Sequence, residues 1–228
     1  MTARPDLETA KTAARLCRAL YEFSGDPKEN WDTLVELNHG LYVGIKKVSG
    51  KLFVVFRGTA TFEDVLQDAR FYMTFVRRVG GIYAGFHDDL PRFVPAIRMI
   101  AGQDDIVWCG HSRGAGEAKE AAVLYDIQFG HAHPLVLFGA PRVGDETFCE
   151  ALAHFSRISF CNIEGSRYDP FIDLPPRIPF LLPYQDDTGL TFLNVKRAQN
   201  DPWPGEFALH HMQLYEGAVS QLVKLPGK

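Results

Sequence analysis

Residues 106–109 form a short apolar stretch, Gly110-His111-Ser112-Arg113-Gly114 follows at once, and a helix-period segment runs on from Arg113 to about Ile127. That arrangement leaves the chain little freedom. A short apolar run ended by glycine reads as a buried strand. A strand that becomes a helix within three residues turns too sharply for side chains on both flanks, which Gly110 and Gly114 accommodate. The serine between them stands above a sheet edge at a helix N-terminus, facing backbone N–H groups and a partial positive charge. Such a serine either caps the helix through its hydroxyl or is a nucleophile beside a site that stabilises an oxyanion. The strand before it and the helix after it favour the nucleophile.

The rest of the sequence alternates in the same way. Residues 7 to about 23 read as a helix, with Ala10, Ala13, Leu16, Cys17, Leu20 and Tyr21 at three- and four-residue steps. Residues 41–48 and 52–56 read as strands joined by a turn at Ser49-Gly50. Residues 88–101 have helical periodicity, with Pro91 in the first turn and Pro95 as a strain on the assignment. Residues 135–138 and 158–163 are further apolar strands around a helix at 145–155, and Met212, Tyr215, Val219 and Leu222 mark a last helix. Short apolar strands between amphipathic helices predict an α/β fold: a mostly parallel central sheet with helices on both faces. With no internal repeat and no low-complexity linker, residues 1–228 read as one domain.

Composition narrows the function classes. The net charge is −4, without a basic cluster, so nucleic-acid binding has no electrostatic basis. Cys17, Cys109, Cys149 and Cys161 are scattered, with no CxxC pair and no zinc-type spacing. Cys109 and Cys161 sit in apolar stretches and read as buried free thiols, although an even number also fits two disulfides. No stretch reaches the length of a membrane span, and the first residues lack the apolar core of a signal peptide. The expectation is a cytoplasmic protein, with other export routes left open.

Five segments in order resemble the class 3 lipase family, the fungal triacylglycerol lipase type with an α/β-hydrolase-like fold. They are FRGT ending at Thr59, AGF ending at Phe86, GHSRGAG around Ser112, FGAPRVGD ending at Asp145, and YDPFIDLPP from Tyr168. The resemblance implies a carboxylic-ester hydrolase (lipase or esterase) with a Ser-Asp-His triad in that chain order and an acyl-enzyme intermediate, needing no metal or organic cofactor. It implies Ser112 as nucleophile, Asp169 as the acid that orients the base, and His210 as the base, with His211 as second choice. Asp173 is the nearest substitute acid, and Asp145 reads as a helix N-cap. The oxyanion donors implied are the backbone N–H groups of Thr59 and Arg113. Phe62, Val65, Phe171 and Leu181 are expected to touch substrate, and the partner expected is a lipid or small ester, with transient contact to a membrane surface.

The sequence departs from the family pattern at three places. Arg113 stands where the family is apolar; a cation at a helix N-terminus is unfavourable, so it either turns into solvent or meets an anionic group on the substrate. Tyr83 replaces the usual histidine. The lid candidate, residues 60–66, is short, which favours dispersed esters, while the apolar loop at 178–184 either lines an acyl groove or braces the core. Arg113 and that loop keep open a phospholipase acting on membrane lipids, such as a toxin. A non-catalytic interaction module on a lipase-like scaffold is the remaining alternative.

Overall fold

The computed structural model describes residues 3–22, 31–37, 42–58, 73–87, 90–178, 183–185, 189–197 and 205–225. In chain order its strands are β1 (Thr33–Glu36), β2 (Tyr42–Val48), β3 (Lys51–Phe56), β4 (Met73–Val76), β5 (Gly80–Tyr83), β6 (Asp105–His111), β7 (Leu135–Phe138), β8 (Arg157–Glu164), β9 (Arg167–Tyr168) and β10 (Leu190–Asn194). The helices are α1 (Leu7–Tyr21), α2 (Ala84–His87), α3 (Leu90–Ala101), α4 (Arg113–Phe129), α5 (Glu146–Ala153) and α6 (Met212–Ser220). Short 3-10 helices at Pro170–Asp173 and Gly205–His210 complete the described elements.

Among the described residues, the main sheet runs β1-β2-β3-β6-β7-β8-β10, with β9 paired to β8. The pairs β1–β2 and β2–β3 are antiparallel, and β3, β6, β7, β8 and β10 are parallel neighbours. Alternate residues of the central strands enter two separate cores. Leu52, Val54, Phe56, Ile106, Trp108, Leu135 and Leu137 join α3 and α4 on one face. Phe53, Val55, Val107, Cys109, Val136 and Phe138 join α1 and α6 on the other. Both faces being covered is why these strands read as unbroken apolar runs.

The mostly parallel sheet with helices on both faces is the expected one. The β2–β3 hairpin turns where Ser49-Gly50 predicts, both residues at positive φ (50° and 80°). Pro95 lies inside α3 on its exposed face, where the helix hydrogen bond it forgoes is on the solvent side. Strands β1 and β10 and the β4–β5 hairpin were not anticipated. β10 is a sheet-edge strand that buries only Thr191 and Leu193, a pattern too short and too polar to stand out. All four cysteines are free thiols, as the apolar stretches around Cys109 and Cys161 suggested for those two.

α4 is unusual for a helix that covers a sheet. Residues 114–125 are all buried, among them Glu117, Lys119 and Glu120. Gly114, Ala115, Gly116, Ala118, Ala121 and Ala122 allow neighbouring backbones to approach closely. Lys119 keeps its charge hydrogen-bonded through Nζ to the Pro141 carbonyl at 2.9 Å, without which burial would be prohibitive. Among the described residues no helix is long and apolar enough to cross a membrane.

Candidate active site

Ser112 lies between the end of β6 and the start of α4, at φ 59° and ψ −133°. L-residues avoid this region, so the surrounding backbone has to hold it there. The Ser112 N–H donates to the Phe138 carbonyl on neighbouring β7 at 3.0 Å, and its own carbonyl accepts from Ala115 N–H at 2.9 Å. A Cβ on Gly110 would stand 2.3 Å from the Gly114 carbonyl oxygen, and one on Gly114 would stand 2.3 Å from the Phe56 oxygen. Both glycines are therefore required by contact, not merely tolerated. Ser112 makes no side-chain capping hydrogen bond to α4, so its hydroxyl is not engaged in holding the helix.

Asp169 follows β9 and opens the 3-10 turn at Pro170–Asp173, fully buried. Its Oδ1 accepts from Phe171 N–H at 2.9 Å. Its Oδ2 accepts from His210 Nδ1 at 2.7 Å and from the Tyr215 hydroxyl at 2.5 Å. Burial alone would raise the pKa of this carboxyl. The His210 charge and these hydrogen bonds outweigh burial and hold it below the usual carboxylate range. Because a carboxylate can only accept, His210 Nδ1 carries the proton and Nε2 is the nitrogen that can take another.

His210 closes the 3-10 helix Gly205–His210 and is 1% exposed. Phe171 stacks on its ring at a centroid distance of 3.6 Å and an interplanar angle of 17°. Gly139, at φ +52°, leaves the room this pair needs: a Cβ there would lie 2.7 Å from Asp169 Oδ2 and 2.9 Å from His210 Nδ1. His211 instead occupies the N-cap position of α6. Asp173 is engaged with Arg142 Nη2 at 2.8 Å and the Tyr168 hydroxyl at 2.6 Å. Of the two acids and two histidines the sequence offered, Asp169 and His210 are the pair that meets.

Two members of this arrangement escaped sequence reasoning. Tyr215 was read as one apolar position in a helical stripe; its hydroxyl is a second donor to Asp169. Phe171, expected at the substrate, is 3% exposed and lies against the His210 ring.

Arg113 occupies the first position of α4, where the N–H has no acceptor four residues back in the helix. Its guanidinium takes neither course the sequence suggested. Nε donates to Glu117 Oε1 at 2.8 Å, with the Arg113 side chain 18% exposed and that of Glu117 fully buried. The misplaced cation is thus neutralised one turn on, instead of being left for solvent or an anionic substrate. Asp145 caps α5 through Phe148 N–H at 3.1 Å and also accepts from Gly81 N–H at 2.8 Å, fastening the β4–β5 hairpin. Tyr83 is buried and its N–H donates to the Val143 carbonyl at 2.8 Å. In the apolar loop, Ile178 is 42% exposed and Tyr184 is fully buried. Thr59, Phe62, Val65, Leu181 and the lid candidate lie outside the described residues.

Comparison with known proteins yields one consistent group. A family model described as lipase (class 3) matches residues 53–166. A secreted mono- and diacylglycerol lipase of Malassezia globosa is 26% identical over 151 residues, 62% of this chain and 47% of that protein. The chain therefore spans about half the length of that relative. Among solved structures, the Rhizomucor miehei triacylglyceride lipase is 18% identical with a TM-score of 0.61, over 81% of this chain and 77% of the other. Lipase II from Rhizopus niveus is 19% identical with a TM-score of 0.64, over 82% and 80%. At these identities the two structures speak for the fold.

Proposed function

The chain belongs to the class 3 lipase family, and on that premise we propose that it is a carboxylic-ester hydrolase that works through an acyl-enzyme. The observation that carries the assignment of residues is the buried Asp169–His210 pair at 2.7 Å, made by segments 41 residues apart in the chain. The nucleophile of this reading is Ser112, whose backbone is strained and whose hydroxyl is not used as a cap.

In the proposed reaction, Ser112 Oγ attacks the ester carbonyl carbon while His210 Nε2 takes the hydroxyl proton. Asp169 fixes the Nδ1–H tautomer and stabilises the imidazolium. The N–H of Arg113, joined by that of Thr59, donates to the tetrahedral oxyanion; one such donor is worth about 3–4 kcal/mol in the transition state. Collapse returns the proton from His210 to the leaving alcohol and leaves the acyl group on Ser112. Water, deprotonated by His210, then attacks the acyl-enzyme, releasing the carboxylic acid and restoring the serine.

Partial glycerides, the substrates named for the Malassezia relative, are the substrate class we propose, met at a lipid surface or as dispersed molecules. The phospholipase reading drew on Arg113 as a spare cation and on the apolar loop at 178–184; the pairing of Arg113 with Glu117 removes the first of these supports. The test is initial rates on p-nitrophenyl esters from acetyl to palmitoyl and on monoacylglycerol, for wild type and Ser112→Ala. Turnover by wild type and none by Ser112→Ala is expected, with the chain-length optimum separating esterase from lipase. Equal turnover by both would overturn the mechanism, and so would no turnover of any ester by wild type.

A further inference from the structure

His111 is the residue before the nucleophile, and the reaction above makes no use of it. It is 4% exposed, and both its ring nitrogens are engaged. Nε2 lies 2.7 Å from the backbone carbonyl of His210, and Nδ1 lies 2.7 Å from the hydroxyl of Tyr21, the last residue of α1. These two contacts can be ordered in one direction only. A carbonyl cannot donate, so Nε2 carries the proton; a neutral ring then accepts at Nδ1, so the Tyr21 hydroxyl donates there. The His111 and His210 rings lie 4.5 Å apart at 32°, so His111 packs on the imidazole whose backbone it holds.

We propose that His111 is a positioning residue: the chain Tyr21 O–H to His111 and His111 N–H to the His210 carbonyl ties the end of α1 to the base and fixes where the base stands. The proposal rests on His210 being the base. With Asp169 holding Nδ1 and His111 holding the carbonyl, His210 is fixed at both ends, and Phe171 and His111 flank its ring. Burial, with the nearby His210 next, holds the His111 pKa well below the ordinary histidine range. The neutral ring that this chain requires is therefore the stable one. A close fit is also visible at Gly58, where a Cβ would stand 2.4 Å from the Tyr21 oxygen and 2.8 Å from Ser112 Cβ.

The test compares His111→Leu with His111→Gln, whose amide can replace the Nε2–H donor. His111→Leu is expected to lower kcat and the rate of fluorophosphonate labelling of Ser112 together, by roughly ten- to a hundredfold, with KM near wild type and a lower Tm from the stranded His210 carbonyl and Tyr21 hydroxyl. His111→Gln is expected to regain most of that loss. If Leu and Gln labelled at the same rate, His111 would be a packing residue and the proposal would fall. The imidazole 15N spectrum tests the chain without any turnover. Wild type should show His111 as the Nε2–H tautomer, and Tyr21→Phe should shift only its Nδ1 resonance towards an unbonded nitrogen; an Nδ1–H tautomer in wild type would overturn the proposal. Wild type that neither labels nor turns over esters would sink the hydrolase reading while leaving this spectrum to decide the chain.

Discussion

Ser112 is placed by its own backbone, whereas His210 is placed by side chains drawn from several other segments. At the elbow, the strained φ of 59° is enforced by the turn from β6 into α4, and Gly110 and Gly114 each touch a carbonyl oxygen that would exclude a Cβ. At the base, the main chain is held by side-chain donors instead, His111 Nε2 to the His210 carbonyl and Asn162 Nδ2 to the Leu209 carbonyl. Asp169 orients one edge of the ring, Phe171 covers a face, and Tyr215 shares the carboxylate. The contrast teaches that two halves of one site can have different weaknesses. A backbone-held group fails when the fold fails; a group held by contacts can lose its place while the fold survives.

Four substitutions can break or sharpen that contrast. Asp169→Asn removes the orienting carboxylate without removing a core group, and is expected to lower kcat roughly ten-thousandfold with far-UV circular dichroism unchanged. A loss under tenfold would mean that packing alone holds His210. Gly110→Ala should act the other way, through the fold: a Cβ at 2.3 Å from a backbone oxygen should cost at least about 3 kcal/mol in urea unfolding. A variant as stable as wild type would show that the elbow is less rigid than its contacts indicate. Tyr215→Phe takes a donor from buried Asp169 and should cost about 2 kcal/mol, with a smaller loss of kcat than Asp169→Asn.

The smallest effect is a pH dependence. His111 is faced by Tyr21, His210, His211, Asp169 and Tyr215, and its folded pKa lies well below its unfolded value because burial, and then His210, disfavour the cation. Below about pH 6.5 the unfolded chain binds a proton at this position that the folded chain refuses. The stability from keeping the ring neutral is thus fully present above that pH. It is lost as pH falls towards the folded pKa, at about 1.4 kcal/mol per pH unit. Denaturation midpoints of wild type should fall relative to His111→Gln across pH 6.5 to 5; parallel curves would show that the proton is taken up elsewhere.

The same contrast explains what could be read in advance. The elbow was legible because its demands are local: an apolar run, two glycines and a helix start appear within a few residues of one another. Asp169 and His210, with His211 as second choice, were found through their resemblance to family segments, and the fold puts His210 on Asp169. Tyr215 was legible as an apolar position and Phe171 as a substrate contact, neither as a partner of the Asp169–His210 pair, because a sequence pattern is silent about where a hydroxyl or a ring edge points. Arg113 conflicted with the helix N-terminus in sequence; Glu117 one turn later could have suggested the pairing, since side chains four apart on a helix are neighbours. The edge strand β10 was missed because one-sided burial leaves little apolar signal.

The unbroken burial of residues 114–125 in α4 has a consequence for how this molecule wears out. A helix with no exposed face exchanges its amide hydrogens chiefly when the whole fold opens, whereas short 3-10 turns open by local fluctuation. The platform under Ser112 is therefore expected to keep its amide protons longer than the 3-10 segment that carries His210, so the two halves of the candidate site loosen at different rates.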